Sequence, residues 1–295
     1  MIFSLKDLST LEKQYYLQHV IAPRPICFAS TIDKEGTVNL SPFSFFNMFS
    51  SNPPIVIFSP SRRVRDNTTK HTLQNVSEVP EVVINIVTYD LVQQTSLASG
   101  DYPKGTDEFI KAGFTKEEAA IVTPPMVKES KVKLECKVLE IKSLGAEAGA
   151  GNLVICEVLY LHVDNSLLTK EKKFIQTKLE LVARLGGEWY CKVSSDNLFI
   201  VPKPNVFPGI GIDTLPENIR NSKTLTGNHL GKLATVEKIP DADPAFQNNY
   251  LKNINSDFIN TPESQLHSLA AKLLDEDKIN EAWQCLLLLN SFKKY

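Results

Sequence analysis

The order of apolar and polar positions predicts a chain built mainly from short β-strands. In VKLECKVLEI every second residue from Val132 to Val138 is apolar and the residues between them are charged, which is typical of a half-buried strand. PICFASTID, VNLSPF, PPIVIFSP, EVVINIV and NLVICEVLYLHV are further strand candidates, and KEG at 34–36 is typical of a hairpin turn. Because most strands follow each other at short intervals, we expect a mainly β fold, an antiparallel barrel or sandwich.

Short helices are predicted between these strands. DNTTKHTLQNVSEV, DLVQQTSLASG and TDEFIKAGFT carry helical start or stop residues, so the strands should have flanking α-helices. The loop GAEAGAG contains three glycines but joins two strand patterns. A dinucleotide cradle needs a helix after the glycines, so this loop predicts a hairpin connection instead.

The pattern changes after residue 193, and we expect a main domain at 1–193 and a C-terminal extension at 194–295. The segment VPKPNVFPGIGIDTLPENIRNS is interrupted by proline and glycine, which predicts an extended arm. In SQLHSLAAKLLDEDKINEAWQCLLLLN, apolar residues recur at helical spacing on both sides of an acidic link, which predicts a helical hairpin over 263–292.

Composition narrows the class of protein. The 295 residues are 42% hydrophobic and carry a formal net charge of -2, which suits a packed core and argues against nucleic-acid or anionic-membrane binding. The N-terminus has no apolar signal region, and no segment reaches the roughly 18 apolar residues of a membrane helix. The five cysteines form no CxxC pair, so neither a disulfide framework nor a metal site is predicted. We therefore expect a cytoplasmic protein.

Two adjacent stretches carry the candidate chemistry. VNLSPFSFFNMFSSNPPIVIFSP, residues 38–60, interleaves five phenylalanines with five serines. The following SRRVRDNTTKHT combines arginine and lysine with hydroxyl groups, which are the donors that recognise a phosphate, although a solvated surface loop has the same composition. A planar heterocycle with a phosphate tail would use both stretches, and FMN fits that description.

The same residues carry a family resemblance. PRPICFASTIDKEGTVNLSPFSFFNMFSSNPPIVIFSPSRRVRDNTTKHTLQNV, followed by EVVINIV, resembles the flavin reductase-like family with the FMN-binding split-barrel fold. Agreement spans roughly residues 16–193 and ends at Arg184, Gly186, Gly187 and Tyr190. The resemblance implies an antiparallel split β-barrel, non-covalent FMN, NADH or NADPH as reductant, and a homodimer. It also implies an acceptor flavin or a monooxygenase partner downstream.

The resemblance further implies which residues hold the cofactor. The polar positions expected along the flavin ring and ribityl chain are Ser30, Thr31, Asn47, Ser50 and Ser51. The positions expected around the 5′-phosphate are Ser59, Arg62, Arg63, Lys70 and Thr72. Arg24 and Arg184 are candidates for positive charge at the N1/O2 edge, with a structural salt bridge as the alternative for each. His162 is a candidate on the nicotinamide side, or else a barrel histidine whose hydrogen bonds are satisfied within the fold.

Three functions are compatible with these residues. The first is an NAD(P)H-dependent flavin reductase, in which hydride passes through flavin N5 to an acceptor. The second is a non-catalytic FMN-binding electron carrier or redox-responsive binding protein. The third is an interaction protein whose barrel no longer binds a cofactor, which would be colourless after FMN is added.

Overall fold

The computed structural model describes residues 1–203, 208–246 and 263–292. The chain forms two compact units, Met1–Phe199 and Ile200–Tyr295, so the first unit extends past residue 193. Within the described residues, none of the helices has the length and apolar character needed to cross a membrane.

The first unit is a mainly antiparallel β structure with flanking helices. Its strands are β1 (Arg24–Pro25), β2 (Cys27–Ile32), β3 (Val38–Phe43), β4 (Phe46–Ser51), β5 (Pro54–Phe58), β6 (Glu81–Ile86), β7 (Lys116–Glu117), β8 (Met126–Val127), β9 (Val132–Ser143), β10 (Asn152–Val163), β11 (Val182–Arg184) and β12 (Tyr190–Lys192). Its helices are α1 (Thr10–Val20), α2 (His71–Glu78), α3 (Val92–Ala98) and α4 (Glu108–Ala112).

The main sheet has seven strands in the order β3-β2-β6-β9-β10-β5-β4, and every neighbouring pair is antiparallel. Among the described residues β3 and β4, although consecutive, do not pair, so the sheet is not closed. A smaller sheet, β1-β11-β12, brings residues 24–25 against the end of the unit. The predicted mainly β, split-barrel class is confirmed.

Both predicted hairpin connections are present. The β2–β3 turn has Gly36 at φ +82°, a value that favours glycine, and the Asp33 carboxylate accepts the N–H groups of Glu35 and Thr37. The glycine-containing loop 144–151 joins β9 to β10, whose pairing runs from Val132↔Val163 to Ser143↔Asn152. No helix follows that loop, which is why it is a hairpin connection.

Apolar side chains fill both faces of the sheet. One cluster includes Cys27, Ala29, Phe43, Phe58, Ile84, Cys136 and Cys156. The other, beneath α3 and α4, includes Ile26, Phe28, Leu40, Leu91, Phe109, Phe114 and Val127. Burial raises the pKa of the thiols at Cys27 and Cys136, and raises that of Cys156 to about 12. These cysteines are core residues, as expected.

Helix α1 is an element that the apolar pattern did not predict. Ser9 caps it, because its hydroxyl accepts the Glu12 N–H at 3.3 Å and the Glu12 carboxylate accepts the Ser9 N–H at 2.8 Å. None of its residues is buried. Its apolar side chains point in several directions, so no single stripe marks the helix, but the Ser-x-x-Glu capping box was a readable signal.

The second unit is helical. It contains α5 (Glu217–Arg220), α6 (Gly227–Leu233), α7 (Glu263–Asp275) and α8 (Ile279–Phe292). The predicted hairpin over 263–292 is confirmed by α7 and α8. Its core includes Leu215, Ile219, Leu233, Leu274, Ala282, Trp283 and Leu286.

Part of the segment expected to be an extended arm is helical and packed. Within that segment α5 spans Glu217–Arg220, and Leu215 and Ile219 are buried in the core of the second unit. The proline and glycine residues therefore punctuate short helices instead of an open arm. Residues 204–207 of that segment lie outside the described ranges.

Candidate functional site

A cleft on the first unit combines a basic side and an aromatic side. Its basic part, about 750 Å³, lies between α1 and residues 61–70. Its aromatic part, about 570 Å³, runs along residues 20–25, β4 and β5. Ile21, Arg24 and Phe45 line both parts, so the two form a continuous depression.

The Lys70 ammonium is the central feature of the basic part. Lys70 is the N-cap residue of α2, and no hydrogen bond or ion pair to its side chain occurs within the described ranges. Burial lowers the pKa of the Lys70 ammonium, with the Arg63 charge as a second cause. Since the N–H groups of His71 and Thr72 begin the helix beside it, this corner offers an unpaired cation and free backbone donors to an anion.

Burial also lowers the pKa of the neighbouring His71 imidazole, with Arg63 and Lys104 adding to the effect. The ring therefore stays neutral at neutral pH. Lysine and not histidine supplies the charge at the start of α2.

The arginines of the same loop line the cleft while their donors hold the loop together. Arg62 Nε donates to Asn67 Oδ1 at 2.6 Å, and Asn67 has φ +58°, the turn that reverses the chain. Arg63 Nε donates to Asp101 Oδ1 at 3.0 Å, and Asp101 also accepts from Arg65 at 2.8 Å. The arginines shape the loop and add positive field, whereas Lys70 retains its donors.

The aromatic part is walled by apolar side chains. These are Val20, Ile21, Phe45, Phe46, Phe49, Ile57 and Leu153. The β4–β5 register shifts between Met48 and Ser50, so Phe49 is the extra residue of a β-bulge. Asn47 and Ser59 are polar groups on the same wall, and the Asn47 side-chain oxygen accepts the Met48 N–H at 2.8 Å.

Arg24 lines the cleft but uses most of its donors on the backbone. Its Nη1 donates to the carbonyls of Gln18 and Ile21, both at 2.7 Å, and its Nη2 donates to the Leu185 carbonyl at 2.8 Å. The residue is 7% exposed. Arg24 therefore ties the end of α1 to the β11–β12 turn, and places α1 over the cleft. No salt bridge involves it among the described residues.

Some predicted cofactor positions lie inside the fold instead of at the cleft. Ser30, Thr31 and Thr72 are buried and do not line it. Asn75 donates to Thr31 Oγ1 at 3.2 Å, and Asn39 donates to Thr72 Oγ1 at 2.9 Å. These bonds attach α2 to β2 and β3, so Thr31 and Thr72 position the helix that presents Lys70.

Other predicted positions are also away from the cleft. Ser50 and Ser51 follow the bulge at the end of β4 and line neither part. Arg184 lines a separate small pocket with Tyr190. The structure thus brings together a subset of the predicted residues: Arg24, Asn47, Ser59, Arg62, Arg63 and Lys70.

His162 contacts a buried carboxylate. Its Nε2 lies 2.5 Å from Glu135 Oε1, and the same carboxylate accepts the N–H groups of Ala120, Ile121 and Val122 at 2.7 to 3.1 Å. Burial acts to raise the pKa of the Glu135 carboxyl, but these donors outweigh it and the pKa is lowered. This geometry anchors the 120–122 segment to β9 and β10. The His162 side chain is itself 33% exposed, and its role on the nicotinamide side stays a prediction.

Sequence reasoning missed the contribution of α1 and of the β9–β10 loop. Thr10, Lys13, Gln14 and Leu17 of α1 line the basic part. Gly149 has φ +85°, and a Cβ there would lie 2.7 Å from Thr10 Cγ2. In the described ranges, no group of three or more His, Cys, Asp or Glu side chains could hold a metal ion.

Comparison with known proteins gives a family match within the first unit. The family model described as flavin reductase like domain matches residues 20–178. A protein of Aquifex aeolicus is 35% identical over 173 residues, which are 59% of this chain and 86% of that protein. A protein of Halalkalibacterium halodurans is 33% identical over 203 residues, 68% of this chain and 95% of that one. Both relatives are described as uncharacterized.

Comparison with solved structures also finds proteins that are similar to this chain. Nitrilotriacetate monooxygenase component B from Bacillus cereus is similar with a TM-score of 0.64 and 27% identity, covering 68% of this chain and 98% of that one. A putative flavin reductase with a split barrel domain from Shewanella frigidimarina has a TM-score of 0.59 and 26% identity, covering 69% and 99%.

Proposed function

Because the chain belongs to the flavin reductase-like domain family, we propose that its cleft binds FMN and that it is an NAD(P)H-dependent flavin oxidoreductase. The observation that carries the proposal is Lys70, a half-buried ammonium without a partner in the described chain, at the start of α2 and next to an aromatic wall. A buried cation left unpaired costs free energy, and a bound phosphate would recover it.

The residues present fit the parts of FMN. Lys70 and the first N–H groups of α2 would bind the phosphate, with Ser61 beside them. Phe45 and Phe49 would contact the planar ring, and the Asn47 amide would meet its polar edge. When bound, the flavin supplies hydride and electron transfer, while the chain supplies orientation and electrostatics.

The positive field of the loop favours an anionic ligand. Among the described residues that line the basic part, Asp101 is acidic and six are cationic, namely Lys13, Arg24, Arg62, Arg63, Arg65 and Lys70, so the lining is strongly positive. Arg24 holds the end of α1 at the same cleft through the Gln18 and Ile21 carbonyls.

The first test is flavin binding followed by reduction. The flavin-free protein is titrated with FMN, and the holoprotein is then mixed anaerobically with NADH or NADPH while its visible absorbance is followed. Bleaching by either nucleotide supports the oxidoreductase. Binding without bleaching would reject the reductase and leave the electron carrier, and absence of binding would reject both.

We also propose that the functional protein is a homodimer. Helix α1 has no buried residue, and Leu11 and Val20 are 64% and 75% exposed. On the edge strand β4, Met48 and Phe49 are 58% and 64% exposed. These apolar surfaces border the cleft and would be covered by a second copy. Sedimentation velocity of the full chain tests this: a monomer at micromolar concentration would contradict it.

A monooxygenase is the acceptor partner we propose. The similarity to a nitrilotriacetate monooxygenase component B is what supports this choice. Reduced flavin leaving the cleft would then be the product that such a partner consumes. Transfer can be measured as loss of flavin from the protein after reduction, and retention of reduced FMN would contradict release.

A further inference from the structure

Two arginines lie side by side in the small sheet without a carboxylate partner. Arg24 of β1 and Arg184 of β11 are directly paired in register. Arg24 is 7% exposed, and Arg184 is half-buried. Within the part of the chain that the structure describes, neither makes an ion pair with Asp or Glu. Two neighbouring like charges that are partly removed from water repel each other, and a bound anion would relieve that repulsion.

Arg184 has donors left for such an anion. Its Nη1 donates to the Tyr190 hydroxyl and its Nη2 to the Gly187 carbonyl, both at 2.6 Å. The guanidinium also lies over the Tyr190 ring, 4.6 Å from the centroid, which fixes its plane. A guanidinium carries five N–H groups, so Nε–H and one N–H on each Nη remain without a partner in the described ranges. Because the plane of its guanidinium is fixed, Arg184 is suited to donate two parallel N–H hydrogen bonds to one oxyanion.

Arg184 and Tyr190 line a pocket of about 120 Å³ that also presents hydroxyl groups. These come from Ser44, Thr95, Ser96 and Ser99. Ile26 and Phe43 form apolar lining, and none of the described residues that line the pocket is acidic. The Thr95 hydroxyl is buried and has no hydrogen-bond partner among the residues that the structure describes. The Ser99 hydroxyl donates to the Ser96 carbonyl at 2.6 Å, and the hydroxyls of Ser44, Thr95 and Ser96 remain around the guanidinium as recognition elements for a small anion.

The volume limits what can enter. About 120 Å³ corresponds to roughly four waters at about 30 Å³ each, and is smaller than the roughly 150 Å³ cavity that takes up benzene. A carboxylate with one or two carbons fits, as does nitrate, whereas an aromatic ring would remain outside. Ser44 lines this pocket and also the aromatic part of the cleft, so a bound anion would lie next to the cleft.

We propose that this pocket is a second ligand site, which binds a carboxylate or an oxyanion of similar size through Arg184 and the surrounding hydroxyls. The site does not depend on the proposed flavin. A second suggestion, that this site binds the carboxylate end of an electron acceptor, rests on the proposed function. Only if the adjoining cleft binds a flavin could it deliver electrons to that acceptor.

The test is an anion titration of the full-length, flavin-free protein. Sodium acetate and sodium nitrate replace sodium chloride at constant ionic strength, and the arginine Nε–Hε signals are followed by ¹⁵N NMR. We expect one signal, assigned to Arg184 by its loss in Arg184→Gln, to shift saturably with either anion. Calorimetry should give at least a tenfold weaker affinity for Arg184→Gln. The matched control, Arg220→Gln, removes a charge from the second unit and should bind as the wild type does.

Two further variants keep the proposal falsifiable if Arg184→Gln does not fold. Arg184→Lys keeps the charge but loses the two parallel N–H donors, and Thr95→Val removes the unpaired hydroxyl while keeping the shape. Each should weaken acetate binding severalfold. Thr95→Val should do so without lowering the melting temperature of the anion-free protein, whereas Arg184→Lys also loses the bonds to Tyr190 and Gly187 and is judged by its acetate affinity. Unchanged affinity in both, or no saturable shift in the wild type, would overturn the proposal.

A parallel FMN titration separates this site from the cleft. Acetate binding without FMN binding would leave the anion site standing and reject the proposed function. Equal weakening of FMN and acetate by Arg184→Gln would mean that the flavin is the anion recognised, which overturns a second site. Competition of benzoate with acetate would identify a carboxylate on a larger molecule as the ligand, and lack of competition a free small anion.

Discussion

Replacing Lys70 by methionine gives the sharpest test of the cleft. The change keeps the length and apolar stem of the side chain and removes only its charge. An ammonium and a phosphate about 4 Å apart attract by about 4 kcal/mol at an effective dielectric constant of 20. Lys70 is already partly desolvated in the folded protein, so much of this attraction is retained on binding. With charged hydrogen bonds worth about 1.5–3 kcal/mol, we expect a loss of about 2–3 kcal/mol, or about 30- to 150-fold in Kd.

The assay compares FMN with riboflavin, which has the same ring and no phosphate. Quenching of flavin fluorescence gives both dissociation constants for the wild type, for Lys70→Met and for Lys142→Met, an exposed lysine of β9 as the matched control. Only the FMN constant of Lys70→Met should change. Equal weakening of both flavins would show that Lys70 supports the fold of the cleft, and no change would place the phosphate elsewhere.

The same charge gives a pH dependence with a definite sign. The pKa of Lys70 is lowered from its ordinary value of 10.5, and phosphate binding requires the protonated form. FMN affinity should therefore decrease as the pH rises through that lowered pKa, beginning below 10.5, while riboflavin affinity stays constant. A decrease shared by both flavins would point to unfolding instead.

Three other substitutions test the supporting structure. Arg24→Met removes bonds to three carbonyls and should cost about 3 kcal/mol of unfolding free energy in urea and speed amide exchange in α1. Gly186→Ala would place a Cβ 2.2 Å from His19 Cδ2, and should cost about 1–2 kcal/mol. Glu135→Gln should cost about 2–3 kcal/mol at pH 7. Because the pKa of this carboxyl is lowered, that stabilisation is present above the unfolded value of 4.5 and disappears as the pH falls through the folded value.

For each of these three substitutions there is a control or a result that would contradict the expected effect. His19→Ala combined with Gly186→Ala should recover most of the lost stability, and a strictly additive double variant would contradict the clash. Gly227→Ala, where no atom lies within 4 Å of the new Cβ, should show little loss from packing. For Glu135→Gln, a stability deficit independent of pH would argue against the charged hydrogen bonds. For Arg24→Met, unchanged exchange in α1 would show that other contacts hold the helix.

The strands and the C-terminal hairpin could be predicted because their signals are local. One short segment of sequence contains each signal: the alternation in β9, the turn at Gly36 and the helical spacing of 263–292. That Lys70 lines the same cleft as the aromatic side chains could be predicted because a basic loop directly follows the aromatic stretch; its contact with a phosphate stays a prediction. The surroundings of Thr31 and Thr72 could not be predicted, because α2 covers the sheet there and buries hydroxyls that a strand pattern leaves open.

The remaining differences between the predicted and the observed site come from contacts between residues that are far apart in the sequence. Nothing near Arg24 in sequence indicates that its guanidinium meets the Leu185 carbonyl, 161 residues away. Likewise, the Glu135 contact of His162 joins two strands and a loop that lie apart in sequence. A motif identifies residue types suited to a ligand. It does not show which of their hydrogen-bonding groups already have partners within the fold.

The buried thiols between the strands can report how often the sheet opens. Cys156 is fully buried, and burial raises the pKa of its thiol to about 12, so an alkylating reagent does not reach a reactive thiolate in the closed state. Modification of Cys27, Cys136 or Cys156 therefore measures how often the strands part, residue by residue, without any introduced label. If an occupied cleft binds β4 and β5 more firmly, alkylation of Cys156 on the neighbouring β10 should slow most when ligand is added.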